Sequence, residues 1–279
     1  MTSHPPILLR ALSWNLFHGR DHPPDHTLDT LRSRLLRRTE RGATHAQVNR
    51  SLLDEFAGLL GGWDWHVALL QEAPPRWLAP LTRRCDASGV SALTSRNSLA
   101  FLRAALAERN PDLIASNEGG SNMLLVRPPG RILEVERITL ATRPERRRML
   151  LARLELAGGR RAAVACVHLS VPATRQAHDE AVRGAERAIE LAGADPLIFG
   201  GDLNLRPARD PRAFAELGGR LDLAPPTGPH AIDHLLARGL EVAEPPRALP
   251  ATAREVLEAD GLRVRLSDHA PVTAAFGVR

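Results

Sequence analysis

The sequence contains no lysine and no tyrosine, so all 37 of its basic residues are arginine. Both missing residues have AT-rich codons, and a GC-biased genome accounts for their absence without selection for a ligand. The net charge of +5 and the isoelectric point near 10.8 follow largely from arginine's very high pKa. They favour a phosphate-bearing partner only mildly. Cysteine is scarce: Cys85 and Cys166 lie far apart, fit no metal-binding spacing and read as core thiols rather than a disulfide. Aromatic residues make up 4% of the chain, which gives little support for stacking the bases of single strands. No apolar run approaches the roughly 18 residues that a membrane-spanning helix needs. The N-terminal "MTSHPPILLRALSW" has no basic lead followed by a long apolar run and a cleavage site. These two absences predict a cytoplasmic chain with no membrane partner.

What is present is a large store of core-forming residues, 43% of 279. That content suffices for one sizeable domain. Apolar runs bounded by turn signals predict strands over 7–17, 66–75, 121–128, 132–140, 149–156, 161–170, 196–201, 231–240 and 264–276. Helical periodicity runs from about Thr27 to Leu60, again over 94–109, and over about 173–192 with Ala177, Ala181, Ala185 and Ile189 on one side. No internal repeat or low-complexity linker interrupts the chain. Strands interleaved with helices predict a single α/β domain over 1–279 with a helical insertion at about 20–62.

Several predicted strands end on polar residues just before a loop. These are Asn15, Glu72, His168, Asp202 with Asn204, Asp233 with His234, and Asp268 with His269. Each alone is an ordinary turn former. Together they place acids, amides and imidazoles from six elements on one rim, which is what a phosphoester site with a divalent cation requires. Mg²⁺ takes hard oxygen ligands, which Asn15, Glu72 and Asp268 offer. Asp202 suits activation of a water, and its i, i+2 spacing on an extended segment puts Asn204 on the same side. His168, His269, Asn204 and an arginine can donate to phosphoryl oxygens. Asp233 is a candidate to hold the ring of His269.

The stretches "LSWNLF", "LLQE", "VHLS", "GGDLNLRP", "IDHLL" and "SDHAPV" resemble, in order, the motifs of the endonuclease/exonuclease/phosphatase superfamily over residues 12 to 276. The resemblance implies a four-layer α-β-β-α sandwich: two mixed β-sheets packed face to face, with helices outside. It implies an Mg²⁺- or Mn²⁺-dependent phosphohydrolase. Asn15 and Glu72 then correspond to metal ligands, with Asp268 associated with the metal. Asp202 corresponds to the group that activates water, Asn204 to the group that orients the phosphate, His269 and His168 to phosphate contacts, and Asp233 to the partner of His269. Where several members place a tyrosine near the scissile phosphate this chain has none, and Asn122 is the residue placed to take over polar contacts there. An arginine before "VHLS" is also expected. Arg146, Arg147 and Arg148 all qualify, and strand phase favours Arg148. The gap between Asn15 and Glu72 is longer than the family commonly shows.

Three further stretches have a sharp and a plain reading. "FHGRDHPPDH" spaces His18, His22 and His26 like a metal cluster, but Pro23-Pro24 breaks the helix that would align them. A polar loop at the rim is the expectation. "RSRLLRRTER" is either a grip on phosphates or a solvated face whose Leu31, Leu35 and Leu36 cover the core. Trp77 is expected to pack rather than to touch substrate. The leading functional expectation is a nuclease acting on DNA or RNA. The alternatives are a phosphomonoesterase or phospholipid or inositol-phosphate hydrolase, and, remotely, a silent scaffold.

Overall fold

In this computed structural model, residues 7–94, 100–143, 145–171 and 176–279 are described. The chain begins with β1 (Ile7–Asn15), then passes through the short α1 (Leu31–Leu36), a two-stranded hairpin of β2 (Glu40–Arg41) and β3 (Ala46–Gln47), and α2 (Leu53–Gly62). β4 (Val67–Ala73), α3 (Leu78–Arg84), β5 (Ser88–Leu93), α4 (Ala100–Arg109), α5 (Pro111–Glu118) and β6 (Ser121–Val126) follow. The second half holds β7 (Arg131–Ala141), β8 (Arg147–Glu155), β9 (Arg161–His168), α6 (Gln176–Ala192), β10 (Leu197–Asp202) and α7 (Pro211–Ala215). It ends with β11 (Asp233–Arg238), β12 (Glu241–Ala248), β13 (Glu255–Leu257), β14 (Arg263–Arg265) and β15 (Val272–Val278).

Two mixed sheets form. The six-stranded sheet runs β12-β15-β1-β4-β6-β5 and the five-stranded sheet runs β11-β10-β9-β8-β7. Each contains one parallel pair among antiparallel neighbours, β1 with β4 in the first and β9 with β10 in the second. Alternation along the strands explains the layering, because successive side chains face opposite sides. Leu9, Ala11, Val67 and Leu69 of the first sheet meet Leu150, Val164, Cys166 and Ile198 of the second in a central core. The other face of the first sheet, with Leu12, Trp14 and Leu70, packs on Phe56 of α2 and Leu81 of α3. The other face of the second sheet, with Leu151, Ala165 and Phe199, packs on the alanine side of α6. The result is the expected four-layer α-β-β-α sandwich. No helix among the described residues is long and apolar enough to cross a membrane.

The long helical reading over 27–60 gives way to a broken path. Asp25 caps a single 3-10 turn at His26–Leu28, Thr30 caps α1 through its Oγ1 to Ser33 N at 2.9 Å, and the β2–β3 hairpin intervenes before α2. Of the helix read over 94–109, residues 100–109 are seen as α4 and 95–99 lie outside the described residues, as do 172–175 ahead of α6. The apolar run over 264–276 is two strands, because Ser267 adopts a left-handed φ of 59° between them. Trp77 is fully buried against Phe56, with ring centroids 5.4 Å apart. Cys85 and Cys166 are both buried and free.

Candidate active site

Both parallel pairs end at the same edge of the sandwich. Asn15 pairs with Gln71, next to Glu72, and His168 pairs with Asp202. At these strand ends the backbone turns through conformations that L-residues avoid. Glu72, Asn204 and Ser267 have φ values of 46°, 53° and 59°. Left-handed backbone costs a non-glycine residue about 1 kcal/mol, and such residues gather at functional sites where the surrounding structure holds them. At β4 the register with β6 slips between Leu70 and Ala73, a bulge that turns Glu72 toward the cleft.

Asp202 is the centre of the arrangement and is 2% exposed. Asn15 donates from Nδ2 to its Oδ2 at 3.0 Å, and the backbone N–H of Asn204 donates to its Oδ1 at 3.0 Å. The Nε2 atoms of His168 and His269 stand 3.5 Å and 3.8 Å from Oδ2. Burial, followed by the negative charge of Asp233, raises the Asp202 carboxyl well above the ordinary carboxylate range. Asn204 comes beside Asp202 by a different route from the one its spacing suggests. β10 stops at Asp202, so the pair is not on an extended segment, and the left-handed Asn204 donates from Nδ2 to the carbonyl of Leu169 at 3.0 Å.

His269 is fixed on every side. Its Nδ1 lies 2.7 Å from Asp233 Oδ2. Its backbone N–H donates to Ser267 Oγ at 3.0 Å, its carbonyl accepts from Trp14 Nε1 at 3.0 Å, and Ser267 Oγ donates to the carbonyl of Asn15 at 2.7 Å. Burial alone would lower the pKa of this imidazole. Asp233, with Asp202 and Asp268, outweighs it and lifts the ring to about 10. His269 is therefore an imidazolium at neutral pH.

Glu72 and Asp268 add negative charge beside the two histidines, with Glu72 Oε1 3.7 Å from His168 Nε2 and Asp268 Oδ1 3.9 Å from His269 Nε2. Burial, then the Asp268 carboxylate, raises the Glu72 carboxyl. A half-buried carboxylate with a second, more exposed one and the Asn15 amide is a donor set that fits a hard divalent cation. Asn15 Oδ1 already accepts from Phe17 N–H at 3.0 Å and keeps a second lone pair. Asp202, Asp233 and His269 also have ligand atoms within 4.8 Å of one another. That trio is a second candidate cation site: Asp233 gives Oδ2 to His269 Nδ1, and its Oδ1 is buried with no partner among the described residues.

In the sequence His18 reads as one of three loop histidines. Its backbone is left-handed, with φ of 54°, and its Nε2 lies 3.2 Å from Glu72 Oε2. Burial, followed by the charge of Arg20, lowers its pKa to about 3, so it faces Glu72 as a neutral ring. His22 and His26 turn to each other instead, with rings 4.9 Å apart. The proximity of "FHG" to Asn15 was the only signal for His18 in the sequence.

Among the three candidate arginines, Arg147 reaches the site, where its Nη1 lies 3.3 Å from His168 Nδ1. Arg148, which strand phase favours, meets the site region through its carbonyl, which accepts from Asn122 Nδ2 at 2.7 Å. The register between β7 and β8 slips between Thr139 and Ala141 opposite these arginines, so the side-chain alternation is not carried through to them. Asn122 is fully buried, with its Nδ2 turned to the carbonyls of Arg148 and Cys166. Two recesses flank Asp202. One of about 210 Å³ is lined by His18, Glu72, Thr94, Gly120, Arg147 and His168, and the other, of about 230 Å³, by Asp233, Asp268, His269, His230, Ala248 and Val272.

A model of the Endonuclease/Exonuclease/phosphatase family matches residues 12–269. No curated protein matches the sequence. Among solved structures, an endonuclease/exonuclease/phosphatase family protein from Bacteroides thetaiotaomicron is similar at 14% identity with a TM-score of 0.66, over 99% of this chain and 100% of that one. A mannosyl-6-phosphatase of the same organism is similar at 14% identity and 0.63, over 95% of this chain and 98% of that one. The human Nocturnin catalytic domain with bound sulfate is similar at 15% identity and 0.63, over 100% of this chain and 95% of that one. At these identities the likeness is one of fold.

Proposed function

The chain belongs to the endonuclease/exonuclease/phosphatase family, and from that premise we propose that it is a divalent-metal-dependent phosphohydrolase whose first substrate class is the phosphodiester of nucleic acid. The observation that carries the reading is the buried Asp202 carboxylate, held by Asn15 and Asn204 within 3.8 Å of two histidines. A carboxyl with a raised pKa is a better base than an exposed one, and burial removes competing solvent. Asp202 takes a proton from a water, and the water oxygen forms the new bond to phosphorus as the bond to the leaving oxygen breaks. His269, charged and oriented by Asp233, donates from Nε2 to the phosphoryl group, and His168 with Arg147 offers donors from the opposite side. Asn15, Glu72 and Asp268 would hold Mg²⁺ or Mn²⁺, which when bound neutralises charge on the phosphoryl oxygens.

The test is a panel of plasmid DNA, oligonucleotides, RNA, nucleotides and inositol phosphates with Mg²⁺ or Mn²⁺, run beside Asp202→Ala and His269→Ala. Cleavage that both variants lose supports the proposal; hydrolysis of none of these substrates under either metal rejects it. A phosphomonoesterase is the second reading. It is favoured by the size of the recesses beside Asp202, about 210 and 230 Å³, which suit a terminal phosphate and one attached group. Release of orthophosphate from monoesters, with oligonucleotides left intact, would establish it instead.

A further inference from the structure

The segment between Asn15 and Glu72 carries a surface that phosphoester hydrolysis leaves unused. Of the six residues of α1 only Ser33 is buried. Leu31, Leu35 and Leu36 are 69%, 59% and 54% exposed, so the plain reading that they cover the core does not hold. On α4, Leu102 and Leu106 are likewise 57% and 53% exposed. α1 is tied to the junction between α4 and α5 at Asn110, which donates from Nδ2 to the carbonyl of Arg34 at 2.8 Å. Single exposed leucines are ordinary, but a concentration of them marks an interaction surface. Five of the nine exposed large apolar residues among the described residues sit on α1 and α4.

Arginines surround the leucines of α1. Arg34 is paired with Asp29, and Arg41 with Asp260. Arg32, Arg37 and Arg38 are exposed and make no side-chain hydrogen bond or ion pair among the described residues. α1 ends on Arg37 in a left-handed turn, φ 53°, with its N–H bonded to the Ser33 carbonyl, and this turn presents Arg37 and Arg38 next to Leu36.

The combination selects a partner. A second copy packed two-fold through this same face would set these arginines against identical arginines. A nucleic-acid backbone would satisfy the arginines and leave the leucines in water. A bilayer with anionic headgroups satisfies both, since leucines enter the interfacial region while guanidinium groups stay at the phosphate level. We propose that α1, with its exposed leucines and unpaired arginines, is a docking face for a bilayer containing anionic phospholipid. The contact is peripheral and involves no spanning segment. α1 packs on α5, whose Ser116 lines the recess beside His18 and Glu72, so docking sets that side of the catalytic cleft near the lipid surface.

Co-sedimentation of the full chain with vesicles tests this without reference to catalysis. Phosphatidylcholine vesicles with about one-third phosphatidylglycerol are expected to bind it at least ~10-fold more tightly than phosphatidylcholine alone, and more weakly as salt rises. Arg32→Gln/Arg37→Gln/Arg38→Gln is expected to weaken binding by roughly fivefold per arginine. Leu31→Ser/Leu35→Ser/Leu36→Ser is expected to abolish it with an unchanged circular dichroism spectrum. Leu31→Ser alone, at the most exposed position, gives a smaller loss in the same direction if the triple variant misfolds. Failure to bind the anionic vesicles at low salt overturns the proposal. Binding that the arginine variant loses and the leucine variants keep also overturns it, in favour of a polyanion patch tested with DNA. A dimer that the leucine substitution dissolves overturns it in favour of self-association.

Discussion

His269 Nδ1 stands 2.7 Å from Asp233 Oδ2, and that contact decides the charge of a ring whose other nitrogen lies 3.8 Å from Asp202. With its pKa lifted to about 10, His269 is protonated across the neutral range and loses its proton only as pH rises through that value. Asp233→Asn removes the strongest charge opposing burial and leaves only Asp202 and Asp268 against it, which lowers the pKa. The alkaline limb of the pH–rate profile, expected near 10 in the native enzyme, should therefore move to lower pH in the variant. An unmoved limb would show that His269 is not the group that titrates.

Asp202→Asn keeps the shape of the side chain and removes the base. A fall in kcat of ~10²–10⁴ is expected, the usual contribution of a positioned general base. The fold should tolerate the change, because the charge removed is one that burial and Asp233 already disfavour. A melting temperature at least equal to the native one at neutral pH, with kcat reduced, is the expected pair of results. A variant that retains more than about a tenth of native kcat would exclude Asp202 as the base.

Glu72 and Asp268 should make Mg²⁺ a stabilising ligand. A cation that binds only the folded state stabilises it by RT ln(1 + [L]/Kd), so above Kd the melting temperature rises with the logarithm of the cation concentration. Native protein is expected to show such a rise in saturating Mg²⁺, and Glu72→Gln to lose most of it. This measurement needs no substrate. A full Mg²⁺-dependent shift in Glu72→Gln would move the cation site elsewhere, with Asp202 and Asp233 the next candidates.

Arg147 and Arg148 are adjacent in sequence and differ in what they reach. Arg147→Ala removes a guanidinium 3.3 Å from His168 and is expected to reduce kcat/KM by ~10-fold or more on an anionic substrate. Arg148→Ala leaves intact the backbone carbonyl that holds Asn122 and is expected to cost less than half of that loss in logarithmic terms. Steady-state kinetics on the pair of variants decides between them, and the reverse order would reinstate strand phase as the guide.

The contrast between these arginines shows where the sequence stops being readable. The polar endings of β1, β4, β9 and β10 could be read because apolar runs stop on them abruptly, and the six motifs kept their order. The central strands followed from the same runs. β12 escaped detection because Pro245 and Pro246 lie within it, and an edge strand tolerates what a central strand does not. β5 escaped because "SGVSAL" is short and weakly apolar. Arg147 depended on a bulge across the sheet at Thr139–Ala141, and His18 on a left-handed turn after Leu16, neither of which has a local signature. The outward leucines of α1 could not be foreseen, since periodicity shows that a helix has an apolar side without showing that anything covers it.

Gly201 links the strand to the site it delivers, and it supplies the sharpest stability test. Its φ of 128° is a conformation that L side chains rarely adopt. A Cβ there would lie 2.0 Å from the Val167 carbonyl oxygen and 3.1 Å from Gln71 Nε2. The first neighbour is backbone of β9, paired with β10 in parallel register from Leu197 to Asp202, and it cannot move without breaking that ladder. Gly201→Ala therefore combines backbone strain with a clash and is expected to cost more than ~3 kcal/mol. Gly193→Ala is the control, because its φ of 61° is strained but nothing lies within 4 Å of the added Cβ. It should cost about 1 kcal/mol. Urea denaturation of the two variants separates the contributions. If Gly201→Ala were no less stable than Gly193→Ala, β9 and β10 would not be packed as closely as their pairing requires, and Asp202 would lose the rigid strand end that sets it beside His168.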